Sequence, residues 1–199
     1  MIRLIFITIF LFLLTGCTTV TPAVTEYKIA LKTFEPSVVS SGCRDKSLKI
    51  SQAFSSNSLM SLQMYYVQGN GKIYSYSQAK WNNSPNQEIT SQTLKVLRDS
   101  EIFKYTQNSK SRSISDLILE INIVDFMQYY NKDITESNAN VVISLTLIEA
   151  KSNKVVASKT FSAREEVQAL NASGGVKGLD IALDDVLNQG VEYLSEICK

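Results

Sequence analysis

Histidine is absent from all 199 residues, and with it goes the commonest general base, metal ligand and pH switch near neutrality. Histidine-dependent triads are therefore excluded. No CxxC pair supplies thiolates for a structural zinc, and neither GxGxxG nor Gly-Lys-Ser/Thr occurs to cradle phosphates. Charge of one sign is missing too: 20 basic residues meet 19 acidic ones for a formal net charge of +1, which removes the phosphate-neutralising term on which nucleic-acid binding depends. Internal repeats and low-complexity tracts are lacking, and the longest apolar run, Leu4–Leu14, would reach about 16 Å as a helix against a hydrocarbon core of ~30 Å. It is too short to span.

That run follows Met1, Ile2 and Arg3, and a short positive start before an apolar stretch is the layout of a secretory signal. Leu14-Thr15-Gly16-Cys17 comes next and resembles the lipobox of bacterial lipoproteins, in which the cysteine accepts a diacylglycerol thioether before cleavage. The resemblance implies a signal peptide over 1–16 and lipidation of Cys17, and Thr18, where an Asp would retain the protein at the inner membrane, favours the outer membrane. Thr18–Thr25 carries no charge and holds Pro22, so 17–25 reads as a flexible tether and 26–199 as a single folded domain facing the periplasm. The 44% hydrophobic content of the whole chain suits a globular body of that size.

Cys43 and Cys198 are the remaining cysteines. An oxidising periplasm permits a bridge between them; two separate thiols are the alternative. A bridge would close a loop of 155 residues (198 − 43), for which chain entropy sets an upper figure near ~5 kcal/mol.

Alternation and turn chemistry predict strands over 26–31 and 47–54, then a hairpin whose arms, Leu62–Gln68 and Lys72–Gln78, flank Gly69-Asn70-Gly71. Pro85 opens a helix to Asp99, and Ile102–Thr106 forms a short strand. Three long runs, Ser115–Tyr129, Ala139–Glu149 and Lys154–Glu165, read as consecutive antiparallel strands. Asn171–Gly175 breaks the pattern. Beyond it Val176, Leu179, Leu183, Val186, Leu187, Gly190, Leu194 and Ile197 make the apolar stripe of a C-terminal helix. The expected fold is α+β: a mostly antiparallel sheet with two main helices packed on one face.

No catalytic set emerges. Asp116, Glu120 and Asp125 lie along one strand, where Asp116 and Glu120 at even spacing mark its solvent side, and neighbours such as Glu165-Glu166 and Asp184-Asp185 point in different directions rather than facing a shared bond. The aromatic residues Tyr65, Tyr66, Tyr74, Tyr76 and Trp81 are the candidates for binding a partner, with some of them expected in the core.

The order of these features resembles the ABC-type transport auxiliary lipoproteins, which accompany Mce-domain lipid transporters and include the paraquat-inducible C type. The residues that carry the likeness are the lipobox, Tyr27-Lys28-Ile29-Ala30-Leu31, Ser47-Leu48-Lys49-Ile50, Ile73-Tyr74-Ser75-Tyr76, Trp81 before Pro85 and its helix, the Leu119–Phe126, Leu145–Glu149 and Val155–Phe161 strands, and the final helix. Asn82-Asn83-Ser84 and the Cys43 and Cys198 pair depart from the family pattern. The resemblance implies a non-enzymatic accessory subunit without a cofactor. It would dock onto an Mce-domain, MlaD-like transporter subunit and help phospholipid or another hydrophobic molecule cross the envelope. A lipoprotein that scaffolds or regulates envelope assembly, such as peptidoglycan synthesis or secretion, is the alternative function for a tethered α+β domain.

Overall fold

The computed structural model describes residues 22–31, 42–69 and 71–198. The signal, Cys17 and the first half of the tether lie outside them. Nine strands form one sheet: β1 (Thr25–Tyr27), β2 (Ser47–Ile50), β3 (Phe54–Ser55), β4 (Gln63–Gln68), β5 (Lys72–Trp81), β6 (Tyr105–Asn108), β7 (Leu117–Tyr130), β8 (Ser137–Glu149) and β9 (Lys154–Glu166). Among the described residues two α-helices, α1 (Pro85–Asp99) and α2 (Ala172–Ile197), complete the α+β fold. A single 3₁₀ turn, Asn57–Met60, links β3 to β4.

β7 is the spine. One of its edges receives β2, β3 and β4 in succession, all parallel to it, with Leu48 opposite Leu117, Phe54 opposite Asn122 and Tyr66 opposite Gln128. Its other edge pairs with β8, and β8 with β9, in two long antiparallel ladders. The sheet is therefore mixed, with five of its eight strand pairings parallel, which corrects the expected mostly antiparallel arrangement. The physical reason is that turn chemistry reveals only hairpin neighbours, whereas parallel partners meet through crossovers that leave no local signature. The strand expected over 47–54 is likewise split into β2 and β3, and that over 26–31 is shortened to β1.

Period-two burial shows which face is covered. Leu117, Leu119, Ile121 and Ile123 of β7 and Ala139, Val141, Ile143, Leu145 and Leu147 of β8 are all buried. Against them α2 lays Val176, Leu179, Leu183, Val186, Leu187 and Leu194, and α1 adds Ile89, Val96 and Leu97. Each such side chain taken from water contributes about 1.5–3 kcal/mol, so this two-layer contact dominates the fold's stability. α1 starts as predicted, with Pro85 where a missing N–H costs nothing.

α2 begins earlier than expected. Asn171-Ala172-Ser173-Gly174-Gly175 leads directly into the helix, with the Asn171 side chain accepting from the Gly174 N–H at 2.9 Å as an N-cap. The two glycines sit in the first turn because there is no room for a side chain: a Cβ on Gly174 would lie 2.0 Å from the Ala169 carbonyl oxygen, and one on Gly175 2.0 Å from Gln128 Oε1.

Candidate interaction surfaces

The long axis of β7 gives the domain two unlike ends. At the end where β7 finishes, three connections meet. The β4–β5 tip touches the β7–β8 turn, since the Gly69 N–H donates to the Tyr130 carbonyl at 3.1 Å; the β9–α2 connection joins them through Val167 N–H to Ser137 O at 2.9 Å.

Beneath these connections lies a tyrosine cluster. The Tyr66 ring has Tyr74 at 5.7 Å, Tyr76 at 4.6 Å and Tyr130 at 5.3 Å between centroids, in stacked, tilted and edge-on geometry. The Tyr76 hydroxyl donates to Gln128 Oε1 at 2.8 Å and lies 2.7 Å from the Tyr130 hydroxyl, and Gln128 Nε2 donates to Ser137 Oγ at 2.9 Å. Gln128 is 1% exposed, and its amide ties β7 to Tyr76 of β5 and to Ser137 at the start of β8. Burial, reinforced by the Tyr130 hydrogen bond, pushes the Tyr76 phenol well above its ordinary range, and burial raises Tyr130 as well. Both stay protonated donors.

This geometry sorts the aromatic candidates. Trp81 is buried and packs on Phe126 with 5.9 Å between centroids; it is a core residue, and as a partner-binding candidate it is corrected. Tyr65 is half-buried against the core, and Tyr66 and Tyr76 are half-buried in the cluster. Tyr74, 42% exposed, is the one that faces solvent.

Gln128 and Tyr130 were invisible as members of this network. A bulge between Ile123 and Asp125 inverts the alternation of β7, so that even-numbered residues face inward after it where odd-numbered ones did before. Continued alternation would have placed Gln128 outside.

The opposite end is charged and covalently closed. A disulfide joins Cys43 to Cys198 with 5.1 Å between Cα atoms, tying the lead-in to β2 to the last turn of α2, and Gly42 N–H donates to the Cys198 carbonyl. A groove there is lined by Asp45, Lys46, Asp116, Glu149 and Lys151 with Ile114. Asp116 Oδ2 accepts from both the Ser47 N–H and its hydroxyl at 2.7 Å, which holds its carboxyl below the usual carboxylate range.

Between the ends, the sheet face away from the helices is uncovered and polar. Ser144 pairs with Thr160 at 2.7 Å and Thr146 with Ser158 at 2.9 Å across strands, while Asp125 Oδ2 accepts from Tyr129 Oη and Asn140 Nδ2. Phe54, 71% exposed, stands beside this face over Glu120 and Asn122. Among the described residues no group of three or more His, Cys, Asp or Glu could hold a metal ion. No described helix is long and apolar enough to cross a membrane.

The sequence profile of the ABC-type transport auxiliary lipoprotein component matches residues 31–189. The chain belongs to this family. As a transport auxiliary lipoprotein its fold recurs in solved structures of low sequence identity. Protein XCC0632 from Xanthomonas campestris superposes with a TM-score of 0.78 at 17% identity, covering 87% of this chain and 95% of that one. A PelC dodecamer from Paraburkholderia phytofirmans gives 0.50 at 12% identity, covering 81% and 94%. At these identities the likeness shows the fold alone. No curated protein sequence matches the auxiliary lipoprotein significantly.

Proposed function

We propose that the protein is a non-enzymatic, outer-membrane-anchored accessory subunit of an Mce-type ABC transport system, docking from the periplasmic side onto an Mce-domain subunit while phospholipid or another hydrophobic molecule moves across the envelope. The observation that carries this reading is the family match over 31–189, which makes the chain an auxiliary component of an ABC-type transporter and so gives it a transporter as partner. The finer assignment is supported by the lipobox ending at Cys17: two or three acyl chains at about 0.8 kcal/mol per buried methylene would hold the domain permanently at one membrane. The uncovered sheet face, rich in serine, threonine and asparagine, is a surface suited to hydrogen bonding with another protein.

Affinity capture of the lipidated protein from cross-linked envelopes tests the reading. Recovery of an Mce-domain subunit together with its permease and ATPase is the expected result, and deletion of the gene should raise envelope permeability to hydrophobic compounds. Consistent recovery of a peptidoglycan synthase or a secretin instead, with unchanged permeability, would overturn it. Cys17→Ser should release the protein from sedimented membranes.

A further inference from the structure

The direction of β1 constrains which end of the domain meets the membrane. β1 runs parallel to β5, with Thr25 opposite Ala79 and Tyr27 opposite Trp81, and β5 starts at the hairpin tip. The chain therefore enters β1 travelling away from that tip, so that β1 begins on its hairpin-facing side. From Ala79 back to Lys72 is seven residues, roughly 23 Å along a strand. From Cys17 to Thr25 is eight residues, which extend to at most about 28 Å. The tether is thus long enough to set Cys17 level with the hairpin tip, whereas the disulfide end can be approached only by reversing direction first.

The residues exposed at the hairpin end have the character of a membrane-interface surface. Ile73 and Tyr74, 57% and 42% exposed, stand at the start of β5, Ile134 (46%) lies in the β7–β8 turn and Leu170 (41%) in the β9–α2 connection, at the end where Gly69 bonds Tyr130 and Val167 bonds Ser137. Lys72 and Lys132 are exposed among them, along with Asp133 and Glu136, so the surface is amphipathic without a strong charge bias. Ile134 adds an independent sign. Its φ of 55° puts a β-branched residue in the left-handed region at a turn, where glycine or asparagine would sit without strain. Such strain, roughly 1–3 kcal/mol, sits at a solvent-facing position where the isoleucine gains little burial to offset it. The other end exposes Ile114 and Tyr105, but Ile114 stands among Asp45, Lys46, Asp116, Glu149 and Lys151, and Lys104 Nζ lies 5.5 Å over the Tyr105 ring.

We propose that the hairpin end is apposed to the bilayer that holds the lipid anchor, with Ile73, Tyr74, Ile134 and Leu170 seated at headgroup level and the Cys43–Cys198 end directed away from the membrane. Aromatic and aliphatic side chains flanked by lysine are the composition that settles at a lipid–water interface. The occupant is the lipid surface itself, because the eight residues between Cys17 and Thr25 are long enough to bring a lipidated Cys17 level with this end. The proposal rests on lipidation of Cys17.

Its test uses the full lipidated protein in phosphatidylethanolamine–phosphatidylglycerol vesicles carrying a shallow spin-labelled quencher lipid. With Cys17 acylated and Cys43 bonded to Cys198, a substitution such as Ile134→Cys supplies the only free thiol for a bimane label, and the exposed position leaves folding intact. Labels at 73, 134 and 170 should lose fluorescence to the lipid quencher, and a label at 114 should not. Equal quenching at 114 and 134 overturns the proposal, as does a label at 134 that escapes the lipid quencher yet is shielded from aqueous iodide, which would mean that a second protein copy covers this end. Flotation of the same samples separates the two readings. Protein that fails to float refutes the anchor, whereas protein that floats with an unquenched label at 134 refutes only the orientation.

Discussion

The two ends of the sheet are closed by different means. At the disulfide end a covalent bond ties the last turn of α2 to the lead-in of β2, across 155 residues of sequence. At the hairpin end no covalent link is present among the described residues; α2 is seated by two glycines pressed against the Ala169 carbonyl and Gln128, over a hydrogen-bonded cluster of tyrosines. The contrast shows that a helix terminus can be fixed by an external staple or by fit. The staple tolerates a charged, open surrounding. The fit demands a dry, fully partnered one, and a single added methyl group is enough to spoil it.

The largest expected effect breaks the covalent side. Replacing Cys43 and Cys198 together by serine should cost about 4 kcal/mol in urea unfolding, within the range for native bridges that close long loops. Hydrogen exchange should then quicken in the last turns of α2 and in β2 while the hairpin end stays protected. Uniform loss of protection across both ends would show that the ends are not independent.

The non-covalent side is broken by Gly174→Val. Its Cβ would lie 2.0 Å from a backbone oxygen, an obstacle that cannot swing aside as a side chain would, so the first turn of α2 must shift. A loss of about 3 kcal/mol is expected from overpacking of this kind, read as a lower urea midpoint with an unchanged slope. Here the loss of protection should appear around Tyr130 and Ser137, with the disulfide intact. A neutral result would mean that α2 starts later in solution and that the glycines serve no packing role.

Much of this architecture was legible in the sequence because it is local. Gly69-Asn70-Gly71 marks the hairpin, Pro85 the start of α1, and the stripe from Val176 to Leu194 the face of α2, each by a rule that acts within a few residues. What escaped is non-local. β2, β3 and β4 line up on one edge of β7 through parallel pairings that no turn announces, and the bulge after Ile123 silently exchanges the two faces of the strand. Trp81 was misread for a related reason: its position at the end of an aromatic hairpin does not reveal that Phe126, 45 residues on, closes over it. The reading of Cys17 as a lipid anchor stands apart from both: it rests on the lipobox, a linear signal read without any fold, and Cys17 lies outside the described residues.

The smallest effect sharpens the comparison by testing what links the tether side to α2. Just after β1, the Ala30 N–H donates to Asp180 Oδ1 at 3.1 Å, and Ile29 beside it is buried. Burial pushes the Asp180 carboxyl up from 3.8 to about 6, with the Ala30 hydrogen bond opposing that rise only in part. A folded-state value above the unfolded one means that the folded protein binds more protons between about pH 4 and pH 6. Stability must therefore fall as pH rises through that window and stay lower above it, the reverse of a salt-bridged aspartate. Asp180→Asn keeps an oxygen acceptor for Ala30 and removes the charge. It should leave stability at pH 4 nearly unchanged and raise it at pH 7.5 by about 1 kcal/mol, less than full linkage because the carboxylate is partly screened by solvent. Urea midpoints of the two proteins measured from pH 4 to pH 8 would diverge with rising pH; parallel curves would show that Asp180 is ionised in the fold at no cost.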